Sequence, residues 1–270
     1  MDVRIFSAVA ALIVALSPAT ATRADSTITM EDAAGTAQAV IEVKGNMARM
    51  STPGQADYMV YDASRDLVVH VNADRQEYME IDRNTLSQFA DSVSEMQQQM
   101  APQLAQMREQ LKSLPPEQRA MIEQQMGAMA GLATPESQPA APVKLVKRGS
   151  RKIAGFKCVA YDAIQDNEKL SEVCLATAAD AGVSKADFAT LSAMMGFMRD
   201  MASSAQKFSA GLGGAAVPMM LGDVEGVPVS VKEFKGGREY AIADVSDKAL
   251  KEARFSDYKA YKKQQMPRMQ

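Results

Sequence analysis

The side chain that stands out chemically is methionine: the 270-residue chain holds 20, against one histidine, two cysteines and no tryptophan. Met96, Met100, Met107, Met121, Met126, Met129, Met194, Met195, Met198 and Met201 fall in stretches of helical periodicity. Phe89 and Phe188 sit on the same stripes. Unbranched, polarizable thioethers fill irregular core gaps, and they also repack around acyl chains or varied partner surfaces. Thioethers select Cu(I) as well. The clusters follow core-facing positions and have no histidine beside them in sequence, so core filling and an apolar ligand are favoured over copper. No metal and no cofactor are expected.

The other reactive types are sparse. A single histidine, His70, excludes multi-histidine metal sites and leaves one imidazole as a conceivable base. His70, Asn72 and Asp74 alternate on a strand pattern and read as a solvated polar face near a turn. Lys144, Lys147, Arg148, Arg151 and Lys152 place five cations within nine residues. Such a run is the outer face of a strand, or a contact for an anionic surface such as lipid phosphate. Gly211-Leu-Gly213-Gly-Ala-Ala216 has the glycine spacing of a dinucleotide loop, but it follows a helix pattern instead of a strand. No nucleophile elbow, phosphate loop or carboxylate pair stands out, and no catalytic residue is assigned. With 33 acidic and 30 basic side chains, the net charge of −3 supplies no basic field for nucleic acid.

Both cysteines lie in one hairpin pattern, in which apolar-alternating runs flank the polar stretch Gln165 to Lys169. Residue 166 is midway between Cys158 and Cys174, so symmetric pairing places them directly opposite, within reach of a disulfide. The spacing is far from Cys-x-x-Cys, which argues against a reactive or metal-binding pair.

The elements that position these residues follow from periodicity. Ile5 to Leu16 is an apolar run behind Arg4, followed by small residues; residues 1–24 read as a signal peptide cleaved near Ala24 or Ala21. Strand patterns occupy Thr27–Glu31, Ala37–Lys44, Met47–Ser51, Tyr58–Tyr61, Leu67–Val71 and Glu77–Ile81, separated by turn signals. The period then becomes helical from Leu86 to Leu114, with Pro102 expected to kink or split the helix, and Pro115-Pro116 opening a second. Ten glutamines between Asn84 and Gly131 make the opposite face polar and weakly charged. A Pro/Ala/Ser linker, Thr134 to Pro142, leads to strands from Val143 and the cysteine hairpin. Ser184-Lys-Ala-Asp187 resembles a capping box and opens a third helix. Val227–Phe234 and Glu239–Val245 form a last hairpin, and Ser246–Gln264 reads as helical. Neither strand group has partners enough to stand alone. The expectation is therefore α+β: a single domain over 25–270, one strongly curved antiparallel sheet of about eleven strands, with a helical insert at 84–131 and amphipathic helices packed on the sheet.

Three stretches resemble a family. Ala56 to Asp82, Lys152-Ile-Ala-Gly-Phe-Lys-Cys158 with Val173, and Gly226-Val-Pro-Val-Ser-Val-Lys232 with Phe255-Ser-Asp-Tyr258 are similar to elements of an uncharacterised exported bacterial family. That family is remotely similar to the LolA-type periplasmic lipoprotein carriers. The resemblance implies a half-open antiparallel barrel covered by helices, a periplasmic location and an apolar-ligand cavity. The expected function is non-enzymatic binding or shielding of a lipid or lipidated segment under Met-rich helices, by a protein that is not integral to the membrane. The alternative is an envelope adaptor that docks a partner protein through the helices of 84–131.

Overall fold

A computed structural model describes residues 25–88, 143–206 and 224–265, with positions 91, 92, 95, 98, 99, 102 and 106 between them. Twelve strands form one sheet: β1 (Ser26–Asp32), β2 (Ala37–Lys44), β3 (Met47–Ser51), β4 (Asp57–Asp62), β5 (Leu67–Asn72), β6 (Glu77–Asp82), β7 (Lys144–Ile153), β8 (Phe156–Gln165), β9 (Glu168–Ala176), β10 (Val227–Glu233), β11 (Glu239–Ser246) and β12 (Lys262–Gln264). One long helix, α1 (Lys185–Gln206), separates β9 from β10. The strand order is β12-β6-β5-β4-β3-β2-β1-β11-β10-β9-β8-β7. The sheet is thus two sequential meanders, β1 to β6 and β7 to β11, joined edge to edge by the antiparallel pairing of β1 with β11. Among the described residues it is an open half-barrel, with β12 and β7 as its edge strands.

Local chemistry explains the strands. In β5, Leu67, Val68, Val69 and Val71 are all buried, so both faces of this interior strand are covered and its apolar run is continuous. Along the face that meets α1, Ile28, Val43, Ala48, Tyr61, Val68, Cys158, Ala160, Cys174, Val229 and Ile242 join Leu191, Met194, Phe197 and Met198 of the helix in one core. A single core drawing on strands from β1 to β11 requires the sheet to curl around the helix. On the opposite face, Tyr58, Val60, Leu67, Val69 and Val71 are covered by Phe255 and Tyr258. Gly226 sits where β10 runs in beside β9. A Cβ there would meet Leu175 Cβ at 2.9 Å, so only glycine permits that approach.

Three expectations are corrected. The described residues carry the expected single, mostly antiparallel sheet, but among them only one long helix, α1, in place of several packed ones; most of the predicted insert at 84–131 lies outside them. Ser246–Gln264 is not a helix. After β11 the chain makes two short 3-10 turns, Glu252–Phe255 and Asp257–Ala260, and then adds β12 in parallel to β6. The reason is tertiary: Phe255 and Tyr258, three apart, are both driven into the sheet, and the edge of β6 offers backbone partners to residues 262–264. The third correction concerns register. Gln165 pairs with Glu168 across Asp166 and Asn167, both at positive φ (51° and 64°), and the register shifts again between Ala163 and Ile164. Cys174 therefore faces Ala160, and Cys158 lies two positions along its strand. A two-residue offset keeps both on one face, and the disulfide Cys158–Cys174 forms across a Cα separation of 5.5 Å.

The backbone is helical from residue 83 through 88 and at the described positions between 91 and 106, Pro102 among them. Asp82 caps this start, with Oδ1 accepting from Thr85 N at 2.7 Å and from Thr85 Oγ1 at 2.6 Å. The rest of 84–131, the linker and residues 1–24 lie outside the described residues. Among the described residues no helix is long and apolar enough to cross a membrane.

Candidate functional site

The site is the contact of α1 with β3, β4 and β5, and fixed polar contacts hold the helix there. Ser184 Oγ accepts from Asp187 N at 3.1 Å, as an N-cap should. Asp187 does not complete the reciprocal box. Its buried carboxylate accepts a hydrogen bond of 2.6 Å from Ser26 Oγ at the start of β1. Thr190 Oγ1 donates to Gly45 O in the β2–β3 turn at 2.7 Å. At the far end Arg83 bridges Asp66 and Asp200, with its guanidinium 5.6 Å from the centre of the Phe197 ring. Phe197 in turn stacks obliquely on Tyr61, with 5.8 Å between ring centroids.

Between these anchors Met50 of β3, Met59 and Tyr61 of β4, Val68 of β5 and Met194, Met195 and Met198 of α1 enclose a cavity of about 30 Å³. Thioethers from two layers supply most of its wall. The phenol of Tyr61 is turned to Asp66, to which it donates at 3.0 Å. Burial, then the hydrogen bond to that carboxylate, pushes the Tyr61 pKa up to about 12. The cavity holds a water or two by volume, but its lining offers few polar partners.

Of the residues singled out in the sequence, Met195 and Met198 line this cavity and Phe188 packs, half-buried, against the adjoining core. Phe89, Met96, Met100, Met107, Met121, Met126 and Met129 lie outside the described residues. Met50 and Met59 escape the sequence reading, because attention to helical periodicity passes over methionines in strands. The signal is present in the turns: pairing β3 with β4 about Pro53-Gly54 sets Met50 opposite Met59.

The cations Lys144, Lys147, Arg148, Arg151 and Lys152 are all exposed on the edge strand β7. Arg148 and Arg151 have partners there: Asp162 lies 2.5 Å from Arg148 Nη2, and Glu172 pairs with Arg151. Lys169 Nζ bridges the same two acids, 2.7 Å from Asp162 Oδ1 and 3.2 Å from Glu172 Oε2. Burial pushes the Asp162 pKa up, but the hydrogen bonds from Lys169 and Arg148 outweigh it and hold the carboxyl below its usual range. No trio of histidine, cysteine, aspartate or glutamate gathers at metal-binding distance among the described residues.

No protein-family model and no curated protein matches the chain. Among solved structures, the crystal structure of an uncharacterized conserved protein from Thermus thermophilus aligns over 91% of this chain and 92% of its own, at 8% identity and a TM-score of 0.41.

Proposed function

We propose that the chain is an exported, non-enzymatic periplasmic protein that binds or shields an apolar ligand, a lipid acyl chain or a lipidated segment, between α1 and the sheet. The observation that carries this reading is the convergence of five methionines, Met50, Met59, Met194, Met195 and Met198, from two layers onto one apolar cavity. A cavity this small takes a guest only if the wall moves, and methionine is the side chain best able to repack as it does. Displacement of α1 from β3–β5 opens the space, with the thioethers re-forming the wall around the guest. The disulfide supports an oxidising compartment.

Native mass spectrometry of protein recovered from the periplasm, followed by titration with a fluorescent fatty acid, tests the reading. A co-purifying apolar mass, or saturable uptake that falls when Met194 and Met198 are replaced by glutamine, is the expected result. A ligand-free species that takes up no fatty acid overturns it.

A further inference from the structure

The sheet methionines at the cavity belong to a longer alignment. Met50 of β3 is the direct cross-strand partner of Met59 of β4, Met59 of His70 of β5, and His70 of Met79 of β6. Met50 and Met59 line the cavity under α1, and Val68, two residues from His70 on the same strand, lines it as well. Side chains two apart in a strand share a face. The row Met50, Met59, His70, Met79 therefore runs across four adjacent strands on the face that α1 covers. Directly opposed side chains have Cβ atoms about 4.5–5.5 Å apart, so flexible thioethers from neighbouring strands can converge on a single atom beside the imidazole. Met194, Met195 and Met198 of the helix meet the Met50–Met59 end of this row at the cavity. All four members of the row are half-buried, which leaves them reachable.

We propose that Met59, His70 and Met79, adjacent members of this row, bind one Cu(I) ion. The donor set is soft sulfur plus one imidazole, the combination that favours Cu(I) over hard divalent cations. The only histidine of the chain stands in the middle of the row, flanked by methionine on both neighbouring strands. Both cysteines of the chain are joined to each other, so no thiolate of this protein competes for the ion. Binding is simple coordination: the imidazole gives a lone pair from its unprotonated nitrogen and the thioethers give theirs, with no change in oxidation state. This inference goes beyond the apolar-ligand reading and does not depend on it, because a thioether's sulfur and its hydrophobicity can be separated by substitution.

The test uses the full chain with 13C-labelled methionine methyls and Ag(I), a redox-inert stand-in for Cu(I). The expected result is uptake of one Ag(I) per chain, with shifts in the methyls of Met59 and Met79 and in the His70 ring. Cu(I) held reduced by ascorbate should then be retained against a bicinchoninate competitor. Met79→Leu and His70→Ala should each weaken binding by at least about tenfold, the loss that removal of even an outer-shell partner causes. Met79 is not among the residues that line the apolar cavity, and Met79→Leu conserves volume and apolarity. Fatty-acid uptake by that variant should therefore stay at the wild-type level if the apolar site exists. Absence of Ag(I) binding, shifts confined to methionines elsewhere, or unchanged affinity in both variants overturns the proposal. Were a variant to unfold, the methyl and ring shifts of the unaltered chain would decide alone.

Discussion

Asp162 shows how a single residue answers to its surroundings. Its carboxylate is buried, yet Arg148 and Lys169 keep it ionised, and both of those cations are partly in water. A carboxyl held below its usual range stabilises the fold above about pH 4 and loses that contribution as the pH falls through its lowered value. Asp162→Asn should therefore cost about 1–3 kcal/mol at pH 7, since the freed cations can return to solvent. The gap between variant and parent should narrow as the pH falls below about 4. Urea unfolding at pH 7 and pH 3 measures both, and parallel pH profiles would contradict the assignment. Little of this is legible in the sequence: the basic run is readable as an edge strand, but the partners of Arg148 and Arg151 come from β8 and β9. His70 is a similar case. It reads as a bystander when only its own strand is considered, and as the centre of a methionine row once β4 and β6 are laid beside it.

Single elements are the most readable level. The alternation of Ala37–Lys44 and Met47–Ser51 marks β2 and β3 to the residue, because turn chemistry on both sides fixes where each strand must stop. The cysteine hairpin is readable as a hairpin, but its register is set by the two-residue turn at Asp166-Asn167 and by the shift between Ala163 and Ile164. The disulfide closes a loop with a sequence separation of 16. Replacing both cysteines by serine should lower stability by about 3 kcal/mol in the chain-entropy account. The same loss should appear when the parent is unfolded in denaturant with reductant present. A drop below about 1 kcal/mol would mean that the β7–β9 pairing, not the covalent link, holds this edge. The terminal helix fails as an expectation because helical propensity is weak against two aromatic side chains with a sheet face to cover.

For the whole molecule, the first and last described segments matter most. β1 pairs with β11, and the segment after β11 covers the outer face of β3–β6, where Phe255 and Tyr258 are buried and Tyr258 meets Tyr78 at 5.1 Å between ring centroids. Tyr58 donates to Asp257 at 2.6 Å across the same contact, and Arg254 reaches Glu42 at 2.7 Å. Removing residues 251–270 should therefore expose Tyr58, Val69 and Val71, raise binding of a hydrophobic dye and lower the thermal midpoint by at least about 5 °C. A truncated chain with an unchanged midpoint would show the segment to be an ornament of the fold. Periodicity, turn residues and composition are local properties, and they are enough to place the strand segments, the start of α1, the cysteine hairpin and the abundance of thioethers. That both meanders share one sheet, that the last segment is a cover instead of a helix, and that methionines of β3, β4 and α1 meet at one cavity emerges only when the chain folds. Those outcomes depend on which strands become neighbours and in what register, and that is fixed by burying faces whose residues lie far apart in the chain.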